Sequence, residues 1–262
     1  MQLDLNGRHA LVCGASQGIG LAAAQELAQL GANVTLLARN AETLTVAAAG
    51  LPRVHAAQAH GFIAVDMADN DTLRRKVEST AYAAPFHILV NNTGGPPGGP
   101  AQAAQAEAFV DAFRHHLLAN HALLQSVLPG MREAGYGRVI NVISTSVKEP
   151  IRNLGVSNTI RGAVASWAKT LATELGPYGI TVNNVLPGYT RTQRLTQILS
   201  DRVHASGKSE HEVEQAMLAT VPAGRFAEPA EIAAAIAFLA SPAAAYINGI
   251  NLPVDGGRMQ SL

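Results

Sequence analysis

Apolar positions along the chain follow two alternating rhythms. Short β-branched and aliphatic runs at 8–13, 33–38, 62–65, 87–91, 138–143, 180–186 and 250–254 have the length and composition of buried strands. Between them, apolar residues recur at three- and four-residue spacing over 19–30, 72–82, 109–131, 164–175 and 229–239, which predicts helices. Strand-helix alternation implies a parallel sheet covered on both faces, because parallel neighbours need crossover connections. We therefore expect an α/β fold: one domain over 1–262, a doubly wound parallel sheet of about seven strands with helices on both faces. Ligands bind such sheets at the carboxyl ends of the strands.

Two stretches interrupt the rhythm. Residues 93–100, Thr-Gly-Gly-Pro-Pro-Gly-Gly-Pro, forbid helix and strand alike and predict a loop after the fourth strand. Residues 193–225 are polar, punctuated by Gly207, Pro222 and Gly224, with a helical patch near 210–219. A segment of this kind is either a substrate lid or a surface excursion that packs on a neighbouring subunit.

Composition narrows the partners. With 48% hydrophobic residues and a mean hydropathy of +0.12, the chain has material for a large core. Its formal net charge is zero, so it carries no electrostatic signature for nucleic acid or for an anionic membrane surface, and a small-molecule substrate is expected. The single cysteine, Cys13, excludes an intramolecular disulfide. With no basic-then-apolar leader and no long apolar run, a cytoplasmic location is expected. No His, Asp or Cys cluster has metal-ligand spacing, and no metal is expected.

The first strand runs into Gly14-Ala15-Ser16-Gln17-Gly18-Ile19-Gly20 and then a helix. Glycines let backbone approach a pyrophosphate, and the helix amino terminus offers free N–H groups to it, so a dinucleotide site is expected here, its alternative being a turn that merely joins strand to helix. After the second strand stands Leu37-Ala38-Arg39-Asn40, with no carboxylate to take the adenosine ribose hydroxyls. This favours NADP(H) over NAD(H): Arg39, helped by Ser16, is suited to a 2'-phosphate, its alternative being a solvated strand-end arginine. Asp66 either receives the adenine amino group or caps the following helix.

At this point the chain resembles the classical short-chain dehydrogenases/reductases, over nearly its whole length and with a general pattern closest to 3-oxoacyl-carrier-protein reductases. Gly14 to Gly20 matches the family's glycine motif, with Cys13 where a threonine is usual. Asn91-Asn92-Thr93-Gly94 resembles its Asn-Asn-Ala-Gly motif, and Asp255-Gly256-Gly257 its closing strand motif. Pro187-Gly188 with Thr192 resembles the stretch that contacts the nicotinamide carboxamide. The resemblance implies a Rossmann-like fold, a homo-oligomer with tetramer as the expectation, and a cofactor site. That site takes in Gly14, Ser16, Gln17, Gly18, Ile19, Gly20, Arg39, Asp66, Met67, Asn92, Gly94, Arg161, Pro187, Gly188, Thr190 and Thr192.

The resemblance also implies a catalytic Asn, Ser, Tyr and Lys, and here the chain departs from it. Asn141-Val142-Ile143-Ser144 matches the motif that holds the serine, so Ser144 is retained. At the family's spacing Ser157 replaces the tyrosine and, with the register set by Ala163, Leu171 and Glu174-Leu175, Arg161 replaces the lysine. Counted back from Gln125 and Leu128-Pro129, the asparagine position falls on His116, with Asn120 one turn away. A serine hydroxyl is a far weaker acid than a phenol, and an arginine keeps the charge of a lysine without its proton relay. The proton then comes from water or an atypical group, His116 or Tyr189, each of which has an ordinary packing role as its alternative. Two expectations follow: an NADP(H)-dependent oxidoreductase of a carbonyl or secondary alcohol, or a catalytically silent NADP-binding sensor, regulator or partner subunit.

Overall fold

A computed structural model of the chain describes residues 1–261. Its seven strands are β1 (His9–Cys13), β2 (Asn33–Ala38), β3 (His60–Ala64), β4 (Ile88–Asn91), β5 (Gly137–Val142), β6 (Ile180–Pro187) and β7 (Asn251–Val254). They form one sheet in the order β3-β2-β1-β4-β5-β6-β7, parallel throughout. The order reverses between β1 and β4, and at that switch point a crevice opens beyond the strands' carboxyl ends.

The period-2 alternation of each strand divides the core. Ala10, Val12, Ile88, Val90, Ile140 and Val185 face α1 (Gly18–Gln29), α2 (Ala41–Ala49) and α9 (Pro229–Ala240), whose Ala24, Leu27, Leu44, Ile232 and Ile236 complete that layer. Leu11, Leu89, Val139 and Val182 face the other way, onto α3 (Asn70–Ala83), α5 (Ala119–Glu133) and α6 (Gly155–Leu175), with Leu73, Leu123, Val127 and Leu171. Cys13 is buried in this second layer, its thiol pushed up to about 12 by burial. Small residues at the α1–α9 contact, among them Ala23, Ala24, Ala233 and Ala237, let those helices approach closely.

Three helical expectations are revised. The expected helix over 109–131 is α4 (Ala106–Phe113) and α5 joined by a π-helical stretch, Arg114–Leu118, which carries His115 and His116. Such a widened turn re-aims side chains and recurs at functional sites. The helix expected from 164 starts nine residues earlier, at Gly155, so Ser157 and Arg161 lie on its first turns. Segment 193–225 contains not one helical patch but two helices, α7 (Gln193–Ser206) and α8 (Glu210–Leu218). Apolar Leu195, Ile198, Leu199 and Val203 give α7 a face that packs with Val213, Met217 and Phe226, a satellite core that its overall polarity conceals. The short α2, rich in alanine, was also not anticipated; Asn40 caps it by accepting from the Thr43 N–H at 2.9 Å.

The strand ends beneath the crevice are tied by side chains as well as backbone. Asn91, Asn141, Asn184 and Asn251 occupy one register level across β4, β5, β6 and β7. Each of the first three donates its Nδ2 to the amide oxygen of the next, at 2.8, 2.9 and 2.8 Å. Asn141, fully buried, both accepts and donates. Replacing it by leucine strands the Asn91 Nδ2 donor and the Asn184 Oδ1 acceptor, and burying unpaired polar groups costs about 1–3 kcal/mol each. Asn141→Leu is therefore expected to lower unfolding free energy by about 2–4 kcal/mol in urea titrations; a loss below about 0.5 kcal/mol contradicts the ladder's role.

Candidate active site

The crevice is a cavity of about 1670 Å³ that runs from the end of β2 to the residues after β7. At one end lie Arg39, Asp66 and Met67; in the middle the glycine loop, Asn92 and Gly94; at the other end Ser144, Ser157, Arg161, His116 and Tyr189. Pro187, Gly188, Thr190 and Thr192 form the side wall.

The loop after β1 is shaped for a close approach of backbone. Gly14 and Gly18 have φ of +57° and +58°, and a Cβ on Gly14 would sit 2.6 Å from the Asn92 carbonyl oxygen. Gly20 does not line the cavity. A Cβ there would overlap the Gly14 carbonyl oxygen, so its part is to let α1 pack against the loop. The Asn92 Nδ2 donates to the Gly14 and Cys13 carbonyls at 3.3 and 3.4 Å, which fixes the loop from the β4 side. α1 has no side-chain cap from Gln17 and no acidic residue in its first turn, so its leading N–H groups remain available to an anion. Gln17 Nε2 donates to Gln193 Oε1 at 2.9 Å, bridging the glycine loop to the start of α7.

At the adenosine end, Arg39 is exposed at the cavity edge and forms no ion pair among the described residues. Asp66 is not the cap of the next helix. Asp69 caps α3 by accepting from the Thr72 N–H at 3.1 Å, while Asp66 takes the Ala68 N–H at 2.9 Å and keeps its carboxylate at the cavity.

At the other end the side chains come from four segments. Ser144 follows β5 and its Oγ accepts from the Ser146 N–H at 3.1 Å, leaving its hydroxyl hydrogen free to donate. Ser157 and Arg161 lie one turn apart on α6, both buried. Arg161 donates through Nη1 to the Val142 carbonyl at 3.1 Å and through Nη2 to the Thr93 carbonyl at 3.4 Å. Burial, followed by the charge of Arg194, lowers its guanidinium to about 10, so it stays cationic at neutral pH. His116, 2% exposed on the π-helical stretch, lines the cavity with Nδ1 unpartnered, whereas Asn120 is buried away from it. Burial, then the Arg161 charge, pushes His116 down to about 3, which keeps the imidazole neutral.

Several cavity residues carried no sequence signal of their own. Arg194, Asp201, Arg202 and Ala205 line it from one face of α7, and Arg258 lines it from beyond β7. Positions 194, 198, 201, 202 and 205 form a helical stripe that adjoins the apolar one and shares Ile198 with it; recognising α7 would have exposed it. Lys148 and His121 lie off the cavity lining, and His115, half-buried, is on it.

Comparison with known proteins agrees with this geometry. A family model described as Enoyl-(Acyl carrier protein) reductase matches residues 14–258. The 3-oxoacyl-[acyl-carrier-protein] reductase FabG of Vibrio cholerae is 36% identical, covering 97% of this chain and 98% of that protein. Among solved structures, the L-sorbose reductase of Gluconobacter frateurii complexed with NADPH and L-sorbose superposes with a TM-score of 0.92 at 31% identity, covering all of both chains. YwfH, an NADPH-dependent reductase involved in bacilysin biosynthesis, gives a TM-score of 0.92 at 28% identity over 97% of this chain and 99% of its own. With the motifs in order along the chain and the glycine loop, strand ends and α6 converging on one cavity, the chain belongs to the short-chain dehydrogenase/reductase family of oxidoreductases.

Proposed function

We propose that this protein is an NADP(H)-dependent reductase of a carbonyl compound, or dehydrogenase of the matching secondary alcohol, that works without a phenolic proton donor. The observation that carries this reading is the meeting of Ser144, Ser157, Arg161 and His116 in the same cavity as the glycine loop and Arg39. The dinucleotide, when bound, supplies or accepts the hydride.

The residues present fit that group. The uncapped start of α1 and the glycine loop suit its pyrophosphate. Arg39, with Ser16 on the lining of the same cavity, suits a 2'-phosphate, and Asp66 the adenine amino group. Met67, Asn92, Gly94, Pro187, Gly188, Thr190 and Thr192 supply the walls, and Arg161 suits the nicotinamide-side ribose hydroxyls. NADP(H) preference is further supported by the NADPH-bound and NADPH-dependent structural neighbours.

On the alignment given by the motifs, Ser157 and Arg161 stand where the family keeps tyrosine and lysine. In this reading Ser144 and Ser157 donate hydrogen bonds to the substrate oxygen and orient it. Arg161, buried and cationic, favours negative charge as it develops on that oxygen; electrostatic stabilisation of this kind in a water-poor site is among the largest contributions an enzyme makes. The proton then arrives from solvent. His116, held neutral, acts as a hydrogen-bonding wall of the pocket and not as an imidazolium acid. α7 and α8 form the lid over this end, and the chain assembles as a homo-oligomer.

Three outcomes follow. NADP should bind several-fold tighter than NAD in fluorescence titration, and Arg39→Ala should remove the difference; equal affinities in the wild type contradict the assignment. Ser144→Ala should lower kcat for NADPH oxidation with a panel of ketones and oxoacyl thioesters by about tenfold to a hundredfold while leaving NADPH affinity unchanged; tight NADPH binding with no oxidation in the wild type would instead support the silent binding protein. His9 and His116 are held neutral, at about 4 and about 3 against 6.5 when unfolded, chiefly by burial. Their folded pKa lies below the unfolded one, so the stability they leave intact above pH 6.5 is lost as pH falls toward 4. His116→Asn should make the fall of Tm between pH 7 and 5 shallower, and an unchanged slope would count against the buried neutral imidazole.

A further inference from the structure

Beyond the residues already assigned, one wall of the cavity carries two arginines, Arg202 and Arg258, that form no ion pair. Tyr189 lines it, with the Arg258 guanidinium carbon 4.5 Å and the Arg202 carbon 5.8 Å from its ring centroid. Arg202 Nη2 donates to the Tyr189 hydroxyl at 3.4 Å. Arg258 Nη1 donates to Thr145 Oγ1 at 3.4 Å, one residue from Ser144, while Arg258 Nε is buried without a partner. The ion pairs among the described residues are Arg114–Asp111, Arg191–Glu228 and Arg225–Glu231, so neither Arg202 nor Arg258 is in one; Glu149, the acid that feels the Arg258 charge, spends its Oε1 on the Gln260 and Ser261 N–H groups. Asp201, which also lines the cavity, accepts from Gln197 Nε2 at 2.8 Å instead.

Two cations held against one ring repel each other and gain by receiving an anion. The chemistry that satisfies guanidinium donors is an oxyanion, which accepts charge-assisted hydrogen bonds. A neutral ketone or polyol leaves them unpaired.

We propose that Arg202, Tyr189 and Arg258 bind an oxyanion, a carboxylate or phosphate carried by the substrate, so that the enzyme acts on an acidic carbonyl compound. The anchor sits beside Thr145, and the reacting carbon then lies toward Ser144. This rests on the reductase reading above, and it names the substrate class for that site.

The test is calorimetric titration of the full-length protein, with and without saturating NADP, using butanoate, propyl phosphate and methyl butanoate as probes. At least one of the two anions should bind about tenfold or more tighter than the neutral ester. Arg258→Met and Arg202→Met should each remove most of that preference, while Arg191→Met, a change outside the cavity, should keep it. Thermal melts establish that each variant is folded. The proposal is overturned if the ester binds as well as both anions, if neither anion binds, or if folded Arg258→Met and Arg202→Met both keep the preference. NADP binding in the same experiment separates the readings: a protein that takes NADP but shows no anion preference refutes the anchor alone, and one that prefers anions but takes no NADP refutes the reductase reading alone.

Discussion

The site depends on a line of amide hydrogen bonds that joins Asn91, Asn141, Asn184 and Asn251 across four parallel strands. Parallel strands can slip past one another, and backbone bonding alone fixes their relative level weakly where a strand is short. β4 and β7 are only four residues long. The amides pin their ends level with those of β5 and β6. The segments that leave those ends carry Thr93, Ser144, Pro187-Gly188 and Asp255, so one polar row sets the height of the cavity wall. Asn91, Asn141 and Asn184 are buried, and the two inner members, Asn141 and Asn184, have both sides of their amides engaged.

Above that row the site is built around charge more than around acid-base chemistry. Arg161 is held by two main-chain carbonyls at strand ends, an arrangement that fixes where its guanidinium lies without neutralising it. A buried cation without a carboxylate is costly unless a bound molecule offers compensating negative charge. The same holds, less strongly, for the more exposed Arg202 and Arg258. A cavity of this sign suits a phosphate-bearing dinucleotide and a reaction whose transition state places negative charge on oxygen. His116 fits this picture as a neutral neighbour: a protonated imidazole beside Arg161 would add repulsion to the penalty of burial, and its lowered pKa has those two causes in that order.

Much of this was legible in the sequence, for identifiable reasons. Every strand was, because short apolar runs punctuated by glycine and polar residues have few other readings, and the glycine loop was because glycine takes the positive φ of Gly14 and Gly18 most readily. What escaped were features set by tertiary contacts. α7 hides because its apolar stripe is completed only by Val213, Met217 and Phe226 from later in the chain. The π-helical turn that brings His116 into the cavity leaves no mark in hydrophobic periodicity. α3 starts at Asn70, two residues before the expected 72, which makes Asp69 and not Asp66 its cap, a difference of the size at which element ends are hardest to read. Arg194, Arg202 and Arg258 are ordinary surface residues by sequence, and become site residues only once α7 and the tail after β7 fold over the crevice.

The central claim is that Arg161 supplies, as a fixed buried charge, the stabilisation that a tuned phenol and lysine would otherwise share. Its most direct test compares Arg161→Met with Arg161→Lys in steady-state NADPH oxidation on any carbonyl substrate the wild type reduces. In Arg161→Met kcat should fall on the order of a hundredfold, with most of it retained in Arg161→Lys. Equal kcat values for Arg161→Met and the wild type would contradict it.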